Sequence, residues 1–291
     1  MTIHTKESLK LVEFTCNDIP GLIGLSASVG WDYEYEEIST VLASGKIFGH
    51  KNSEGVIVSS AAIIPYDDRL ASIGMVIVHG DFRGMGLGKK ATQRCMDEVR
   101  SMNATIMLIA TPDGKPLYEK MGFKEVDCVH KFLCEKFVPI TTDLHQTAYT
   151  IEEYQSSDLP ALLNLDKEAF GDKRSKFLRA RIQQAKTCLV VKDSNKRVLA
   201  FGMAIAGPIH LILGPIVAPD NQIAVSLLEK LAYGHDGALR IDVPSGHGMF
   251  MTSLEQCGFH KVSQPPIMIH PSSGMPVRSR TYYGIAAQVF G

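Results

Sequence analysis

The chain has 291 residues, of which 45% are hydrophobic and 21% are charged, and its formal net charge is −1. This length suits one large domain or two of ordinary size, and the near-neutral charge does not favour a nucleic-acid-binding protein, which would carry a basic face. The six cysteines show no CxxC pair and no Cys/His ligand spacing. We therefore predict reduced thiols, no metal site and a cytoplasmic protein.

Two segments bear on export and membranes. The start of the chain, MTIHTKESLKLVEF, has no apolar core of signal-peptide length, so we predict no export signal. Residues 198–218 carry no formal charge and are long enough to span a bilayer. Glycines and prolines divide this stretch into short apolar runs, which is typical of buried strands, and we expect no membrane association.

In chain order, the first predicted helix follows Asp18, a candidate N-cap with proline two positions later. Two strands joined by a polar turn are expected within 47–63, and a buried strand at 71–78. The next segment has its apolar residues on one face and charged residues elsewhere, which predicts a helix. A strand at 105–110 and a helix that ends at Gly122 follow.

The second half of the sequence repeats this pattern. DIPGLIGL (18–25) matches DLPALLNL (158–165), and YEKMGFKEV (118–126) matches LEQCGFHKV (254–262). The matches come in the same order at nearly constant offset, which favours duplication over chance, and the period is too long for a solenoid. The sequence therefore predicts two copies of one α+β domain.

The boundary between the copies is expected in VPITTDLHQTA, residues 138–148, which is polar and has no clear periodicity. The predicted domains are residues 1–140 and residues 149–291.

FRGMGLGKKA, residues 82–91, places glycines at every second position between a strand and a helix, where free backbone N–H groups bind anions well. A Walker A loop requires GxxxxGK[ST], but Arg83 stands where its first glycine is needed. A GxGxxA dinucleotide loop fits residues 86–91. However, HGDFR separates that loop from the strand, and no acidic residue closes the next strand.

The third interpretation is the spacing R-x-x-G-x-G, formed by Arg83, Gly86 and Gly88. Together with VIVHGDF before it and LYEKMGF after it, this spacing resembles the GNAT superfamily of acyl-CoA N-acyltransferases over most of residues 10–137. The resemblance implies two tandem GNAT folds, each a mixed, mostly antiparallel sheet flanked by helices. It also implies acetyl-CoA as co-substrate, with loop amides around its pyrophosphate and its pantetheine arm paired with the strand edge. The residues so assigned are Val76, Ile77, Val78, Arg83, Gly84, Met85, Gly86, Leu87, Gly88 and Lys89.

The reaction that the resemblance implies is direct transfer of an acetyl group to an amine in a ternary complex. It needs a base for the ammonium, an N–H near Val78 for the oxyanion and an acid for the sulfur. Tyr118 stands at the family's acid position; a phenol of pKa about 10 stays neutral and can reprotonate a thiolate whose thiol has a pKa of about 8.5. The base stays open between a water chain and the acidic residues of the segments that usually line the acceptor site, which are Asp32, Glu34, Glu36, Glu37, Asp67 and Asp68.

The acceptor is expected to be a small-molecule or peptide amine. Three aromatic residues of GWDYEYEE form either a wall for a cationic amine or ordinary packing; they are Trp31, Tyr33 and Tyr35. The alternative function is a non-catalytic acyl-CoA-binding sensor, which would not need Tyr118 as a proton donor. An aminoacyl transferase of tandem copies is expected to lack the intact glycine loop.

The second copy has no counterpart of the glycine loop, and Leu254 stands at the position of Tyr118. We therefore predict that the second domain is degenerate. Its motifs FGDKR (170–174) and IDVP (241–244) resemble a bacterial tandem-GNAT group. By that resemblance it either completes the acceptor pocket or only stabilises a pseudo-dimer, and the candidate contacts from its tail are Arg278, Arg280, Tyr282 and Tyr283.

Overall fold

The computed structural model describes residues 9–140, 149–271 and 274–291, so most of the predicted boundary segment lies outside the described residues. The first half contains, in chain order, β1 (Lys10–Phe14), α1 (Ile19–Ala27), α2 (Tyr35–Ser44), β2 (Lys46–Lys51), β3 (Ile57–Pro65), β4 (Leu70–Val78), α3 (Leu87–Glu98), β5 (Thr105–Ile109), α4 (Lys115–Lys120) and β6 (Lys124–Cys134).

The second half repeats this order and adds strands at its end. Its elements are β7 (Tyr149–Glu153), α5 (Leu159–Phe170), α6 (Ser175–Gln184), β8 (Thr187–Asp193), β9 (Val198–Ala206), β10 (Leu211–Val217), α7 (Asn221–Ala232), β11 (Leu239–Pro244), α8 (Gly248–Gln256), β12 (His260–Ser263), β13 (Pro266–His270) and β14 (Tyr282–Gly284). The uncharged stretch 198–218 forms β9 and β10, as predicted. No helix within the described ranges has the length and apolar character needed to cross a membrane.

The predicted helix starts at Asp18 and Asp158 are confirmed, and both helices have proline at their second position. The two carboxylates do not cap their own helices. Each accepts a hydrogen bond from the backbone N–H three residues earlier, Thr15 at 2.9 Å and Gln155 at 3.0 Å. They thus fix the short turn that leads into each helix.

All strands belong to one connected sheet in the order β1-β2-β3-β4-β5-β13-β6-β11-β10-β9-β8-β7, with β12 on β6 and β14 on β10. Among the described strands only β4 with β5 and β10 with β11 pair in parallel. The predicted mixed, mostly antiparallel sheet is therefore confirmed, and so is its duplication, because each half has its parallel pair at the same place in its strand order.

The two halves exchange strands at the centre of this sheet. β13, from the second half of the sequence, lies between β5 and β6 of the first half. β6 passes from one half to the other: Lys124–Cys128 pair with β13, and Val129–Cys134 pair with β11. Each half thus completes its sheet with a strand from the other.

Buried charged residues also join the halves, and two of them belong to FGDKR. Asp172 accepts hydrogen bonds from the backbone N–H groups of the β3–β4 turn, among them Arg69 and Leu70, both at 2.7 Å. Arg174 donates two hydrogen bonds to Asp166, at 2.9 and 2.6 Å, and lies over the ring of Phe170. Such groups are tolerated in a core only when paired, so this motif has a structural role at the interface.

Candidate active site

A gap opens between β4 and β5 partway along the two strands. They pair in parallel from Leu70 with Thr105 to Ile73 with Leu108. Between Gly74 and Ile77 the pairing of β4 with β3 shifts by a bulge, and Met75 in this stretch adopts a positive φ of 50°. From here to the end of β4, no described strand pairs with the edge that faces β5. An exposed strand edge of this kind offers backbone hydrogen bonds to an extended ligand.

The glycine loop follows the free end of β4. Gly84 and Gly86 have φ of 78° and 75°, a left-handed conformation that glycine adopts without strain. A Cβ atom built on either would meet nothing within 4 Å, so the space above the loop is open. Gly88, already inside α3, is instead packed closely, and its Cβ would lie 3.4 Å from Val78 Cγ2.

The first turn of α3 is not capped by a side chain from the described residues. The first N–H groups of a helix have no partner within the helix, and they carry the positive end of its dipole. Arg83, Lys89 and Lys90 are exposed around the same turn. The loop thus combines open space, free donors and positive charge, which is the chemistry that a pyrophosphate requires.

The three residues predicted to contact the pantetheine arm lie on the free edge of β4. Val76 and Val78 are half-buried, whereas the side chain of Ile77 is buried in the core. Only their backbones are available to a strand-like ligand. Leu87 is buried, and Met85 is exposed beside the loop.

Tyr118 is a buried residue of α4, with its ring 5.9 Å from that of Phe123 in an edge-to-face arrangement. Burial raises the pKa of its hydroxyl, with a smaller contribution from Cys95. No hydrogen bond of this hydroxyl is found among the described residues. The phenol is therefore neutral at physiological pH, and Tyr118 is not among the residues that line the cavity beside the bulge of β4.

A cavity of about 640 Å³ opens beside the bulge of β4. Gly74 and Met75 line it together with Ile109 and Thr111 at the end of β5. Residues of the second half form much of the opposite wall, and they are Ile205, Ala206, Gly207, Pro208, Ile212, Arg240, Ser263, Gln264, Pro265, Pro266, Ala287, Gln288 and Val289. A ligand here would contact both halves and the gap.

Several predicted acceptor residues line this cavity, namely Trp31, Tyr33, Asp32, Glu34 and Glu37. Others lie elsewhere. Tyr35 is 54% exposed, and neither it nor Glu36 is part of the lining. Asp67 accepts a hydrogen bond from Ser175 at 2.7 Å, and Asp68 lies 3.9 Å from Lys167, so both belong to the contact between the halves.

The candidate contacts from the tail do not line the cavity either. Tyr282 is buried, and its hydroxyl accepts from Arg174 at 3.2 Å and donates to the backbone oxygen of Gly291 at 3.1 Å. Arg278 lies over Phe170. Tyr283 packs against His247. Instead, the last residues of the tail reach the cavity wall.

Glu34 is the acidic residue of the lining whose ionisation is most clearly perturbed. Partial burial raises the pKa of its carboxyl, and the negative charges of Glu36, Glu37 and Asp32 raise it further. Glu37 is different, because it forms a buried ion pair with Arg181. Glu34 has no ion pair in the described part of the chain, so its carboxylate is available to a ligand.

Two GNAT family models match the chain, one in each half. Residues 25–123 match the model described as "Acetyltransferase (GNAT) family", and residues 162–284 match that of the "Acetyltransferase (GNAT) domain". The chain is 33% identical over 283 residues to the "Uncharacterized N-acetyltransferase YitH" of Bacillus subtilis, covering 97% of this chain and 98% of that protein. The chain belongs to the GNAT family of acetyltransferases.

Solved structures share this GNAT fold over most of the chain. A putative acetyltransferase from Pyrococcus horikoshii has a TM-score of 0.80 at 20% identity and covers 100% of this chain and 98% of its own. A tandem GNAT protein from the clavulanic acid biosynthesis pathway has a TM-score of 0.65 at 12% identity, covering 90% and 98%. The predicted tandem GNAT organisation is confirmed, and the chain is an N-acetyltransferase by class.

The second GNAT domain differs from the first at the start of its helix α7 and at the edge of its strand β10. Its helix α7 follows β10 after a short turn, and the side chain of Asp220 accepts a hydrogen bond from the N–H of Ile223 at 2.9 Å. β14 pairs with the free part of β10 through Ile216 with Gly284 and Val217 with Tyr282. The helix terminus and the strand edge that lack partners in the first half thus both have partners in the second.

Lys131, Arg240 and Gln288 are among the cavity residues that were not predicted from the sequence. Arg240 and Asp242 alternate with apolar residues in the strand LRIDVP, which was a signal that two charged side chains share one strand face. No group of three or more His, Cys, Asp or Glu residues able to hold a metal is found in the described ranges.

Proposed function

We propose that the protein transfers an acetyl group from acetyl-CoA to the amine of a small molecule or peptide, by direct attack in a ternary complex. The observation that carries the proposal is the continuity of three features: the uncapped N-terminus of α3, the unpaired edge of β4 and the cavity beside Met75. A linear thioester held by the first two would present its acetyl end to the third.

The loop fits this co-substrate. The positive φ and open surroundings of Gly84 and Gly86 let phosphate oxygens approach the backbone, and the N–H groups at the start of α3 are free to donate. Each exposed helix-terminus charge contact is worth about 0.3–1 kcal/mol, so several amides must act together. Acetyl-CoA supplies the activated thioester, and the chain supplies orientation and proton transfer.

In this mechanism Glu34 is the base and Tyr118 the acid. A carboxyl whose pKa is raised by burial and by neighbouring negative charges is a better proton acceptor than an ordinary glutamate. It takes a proton from the incoming ammonium, since only a neutral amine can form the new amide bond. As the carbon–sulfur bond breaks, the neutral hydroxyl of Tyr118 donates its proton to the leaving sulfur, and the second proton lost by the nitrogen as it becomes an amide restores the phenol.

The two domains have different roles in the proposed reaction. Residues 1–140 provide the loop, the strand edge, the base and the acid. Residues 149–291 contribute no cofactor site and instead form the far wall of the acceptor cavity.

The proposal is tested with the purified full-length protein, acetyl-CoA and a panel of amines, by thiol release and by the mass of the product. In Tyr118→Phe we expect coenzyme A affinity to be unchanged by calorimetry and kcat to fall at least about tenfold. Tyr233→Phe, 83% exposed at the end of α7, is the matched control and should keep full activity.

Failure of coenzyme A to bind would overturn the proposal, and unchanged turnover in Tyr118→Phe would remove that residue as the acid. Binding of acetyl-CoA without turnover of any amine would favour the sensor alternative.

A further inference from the structure

Two cationic side chains line the acceptor cavity where β6 of the first domain pairs with β11 of the second, namely Lys131 and Arg240. The antiparallel register places Lys131 opposite Asp242, and Arg240 lies two residues along the same strand. Because side chains two residues apart share a face, the two cations are diagonal neighbours on one face of the sheet. They therefore act on the same part of a ligand.

Arg240 is held in place but retains hydrogen-bonding capacity. Its Nε donates to Asp242 Oδ2 at 2.8 Å, and the other oxygen of Asp242 accepts from Gln288 Nε2 at 3.0 Å. Both carboxylate oxygens are thus engaged. In the described ranges the two terminal Nη atoms of Arg240 have no hydrogen bond, whereas Arg174 uses its Nε and a terminal nitrogen on Asp166.

Lys131 has no ion pair with any described carboxylate, although its side chain is partly buried. Burial lowers the pKa of its ammonium, and the charge of Arg240 lowers it further, while Asp242 and Asp32 act in the opposite direction. Asp242 serves both cations, since it lies opposite Lys131 and accepts a hydrogen bond from Arg240 Nε. One carboxylate shared by two partly buried cations leaves positive charge that an anionic ligand group would balance.

The remaining charges of the cavity are arranged differently. Lys115 pairs with Glu125 at 2.6 Å, and Glu37 pairs with Arg181, so these charges are satisfied internally. The acidic residues without a described ion pair are Asp32 and Glu34, both from the segment that precedes α2. The cavity thus has acidic groups without an ion pair on the segment before α2, and on the paired strands β6 and β11 it has two cations that share the carboxylate of Asp242.

We propose that the acceptor is an amine that also carries an anionic group, held by Lys131 and Arg240 while its ammonium faces Glu34. This proposal rests on the proposed function, whose cavity it assigns to a zwitterionic substrate class such as amino acids or amine phosphates. An amine with a second positive charge, such as a polyamine, is disfavoured because it would meet the two cations.

The binding test uses the only tryptophan of the sequence, Trp31, which lines the cavity. Its fluorescence is followed while the full-length protein, with coenzyme A present, is titrated with an N-acetyl amino acid and with the matching N-acetyl amide. We expect the acid to bind at least about tenfold tighter, as for a hydrogen bond to a charged group. An N-acetylated amine phosphate forms a second arm, which shows whether the site prefers carboxylate or phosphate.

Three variants assign this preference to Lys131. Lys131→Met should abolish the difference between acid and amide, and Lys131→Arg should restore it. Lys124→Met is the matched control, since Lys124 is exposed on the same strand, and should keep the difference. Equal binding of acids and amides to the native protein, or a preference that survives in Lys131→Met, would overturn the proposal, as would a failure of every anion to bind.

The readout does not depend on turnover, so the two proposals fail separately. Anion binding that requires Lys131 without acetyl transfer to any amine would leave the subsite standing and remove the proposed function. Acetylation of amines without any preference for an anionic group would support the proposed function and remove the anion subsite.

Discussion

In the first domain, β4 and β5 separate after Ile73, and the edge beyond this point faces open space. In the second, β10 and β11 pair only at Leu211 and Ile212, and β14 lies along the separated part of β10. The same gap is therefore open in one domain and filled by the chain in the other. Whether the gap can accept a ligand therefore depends on whether a strand of the chain already pairs with its edge.

The helix that follows each gap shows the same contrast. α3 begins after glycines in left-handed conformation with no side-chain cap, whereas Asp220 places a carboxylate on the first turn of α7. A carboxylate at a helix N-terminus satisfies the same N–H groups and the same dipole as a phosphate would. In the second domain a side chain of the protein thus occupies the helix terminus that is uncapped in the first.

The C-terminal segment of the chain contacts both gaps. A Cβ atom on Gly214 would lie 2.0 Å from the backbone oxygen of Ile285, so glycine is required where the tail enters the second gap. A Cβ on Gly74 would lie 2.5 Å from Val289 Cγ2, where the tail passes the start of the first gap. Because the C-terminal segment occupies the second gap, its residues 287–289 lie in the wall of the acceptor cavity.

The largest effect on activity is expected at the position before α2, where the first domain has the proposed base and the second domain has none. Glu34 precedes α2, and the residue that precedes α6 is the buried Arg174, which cannot act as a base. Glu34→Gln should lower kcat/KM by roughly 10²–10⁴-fold, measured by thiol release over a range of pH.

The native enzyme should lose activity as the pH falls through the pKa of Glu34, because the protonated carboxyl cannot accept a proton. Since that pKa is raised, the acidic limb should lie at higher pH than for an ordinary glutamate. Glu36→Gln, an exposed control, should keep the rate and shift the limb to lower pH by removing a neighbouring negative charge. An unchanged rate and limb in Glu34→Gln would exclude this base.

The second prediction concerns a variant that introduces into the first domain a side-chain cap like that of Asp220 in the second. Gly86→Asp introduces a carboxylate at the N-cap of α3, where it would compete with phosphate for the free N–H groups. We expect the Kd for coenzyme A, measured by calorimetry, to rise roughly tenfold to hundredfold. Gly86→Asn is the matched control, because both residues tolerate a positive φ but only Asp adds charge. Equal losses in the two variants would mean that backbone strain, not charge, weakens binding.

The sequence predicted those parts of the molecule that depend on local patterns. The glycine loop was predicted between a strand and a helix, and it lies between β4 and α3, with Gly84 and Gly86 in a left-handed conformation. The helix after the loop was expected from one apolar face, and Ala91, Cys95 and Val99 of this face are buried. In these cases the residues that determine the structure are close together in the chain.

The sequence did not predict features that depend on distant pairing. The exchange of β6 and β13 depends on pairing between strands that are far apart in the chain, and the sequence of one strand does not identify its partner. Lys131 and Arg240 become neighbours only through this exchange, because β6 pairs with β11 across the halves. The alternation in LRIDVP shows that Arg240 and Asp242 share a strand face, but it does not indicate that Lys131 of the other half lies beside them.

The smallest effect is expected from opening the cap of the second domain. Asp220→Ala should destabilise the protein by about 1 kcal/mol, measured by urea denaturation, because the N–H of Ile223 loses its acceptor. It should not create a second cofactor site, since β14 still occupies the gap beside β10. Calorimetry should therefore give one coenzyme A per chain in this variant, and Asp220→Asn should keep both stability and stoichiometry. A second equivalent of bound coenzyme A in Asp220→Ala would show that the cap alone, without the filled gap, had closed the second domain to the cofactor.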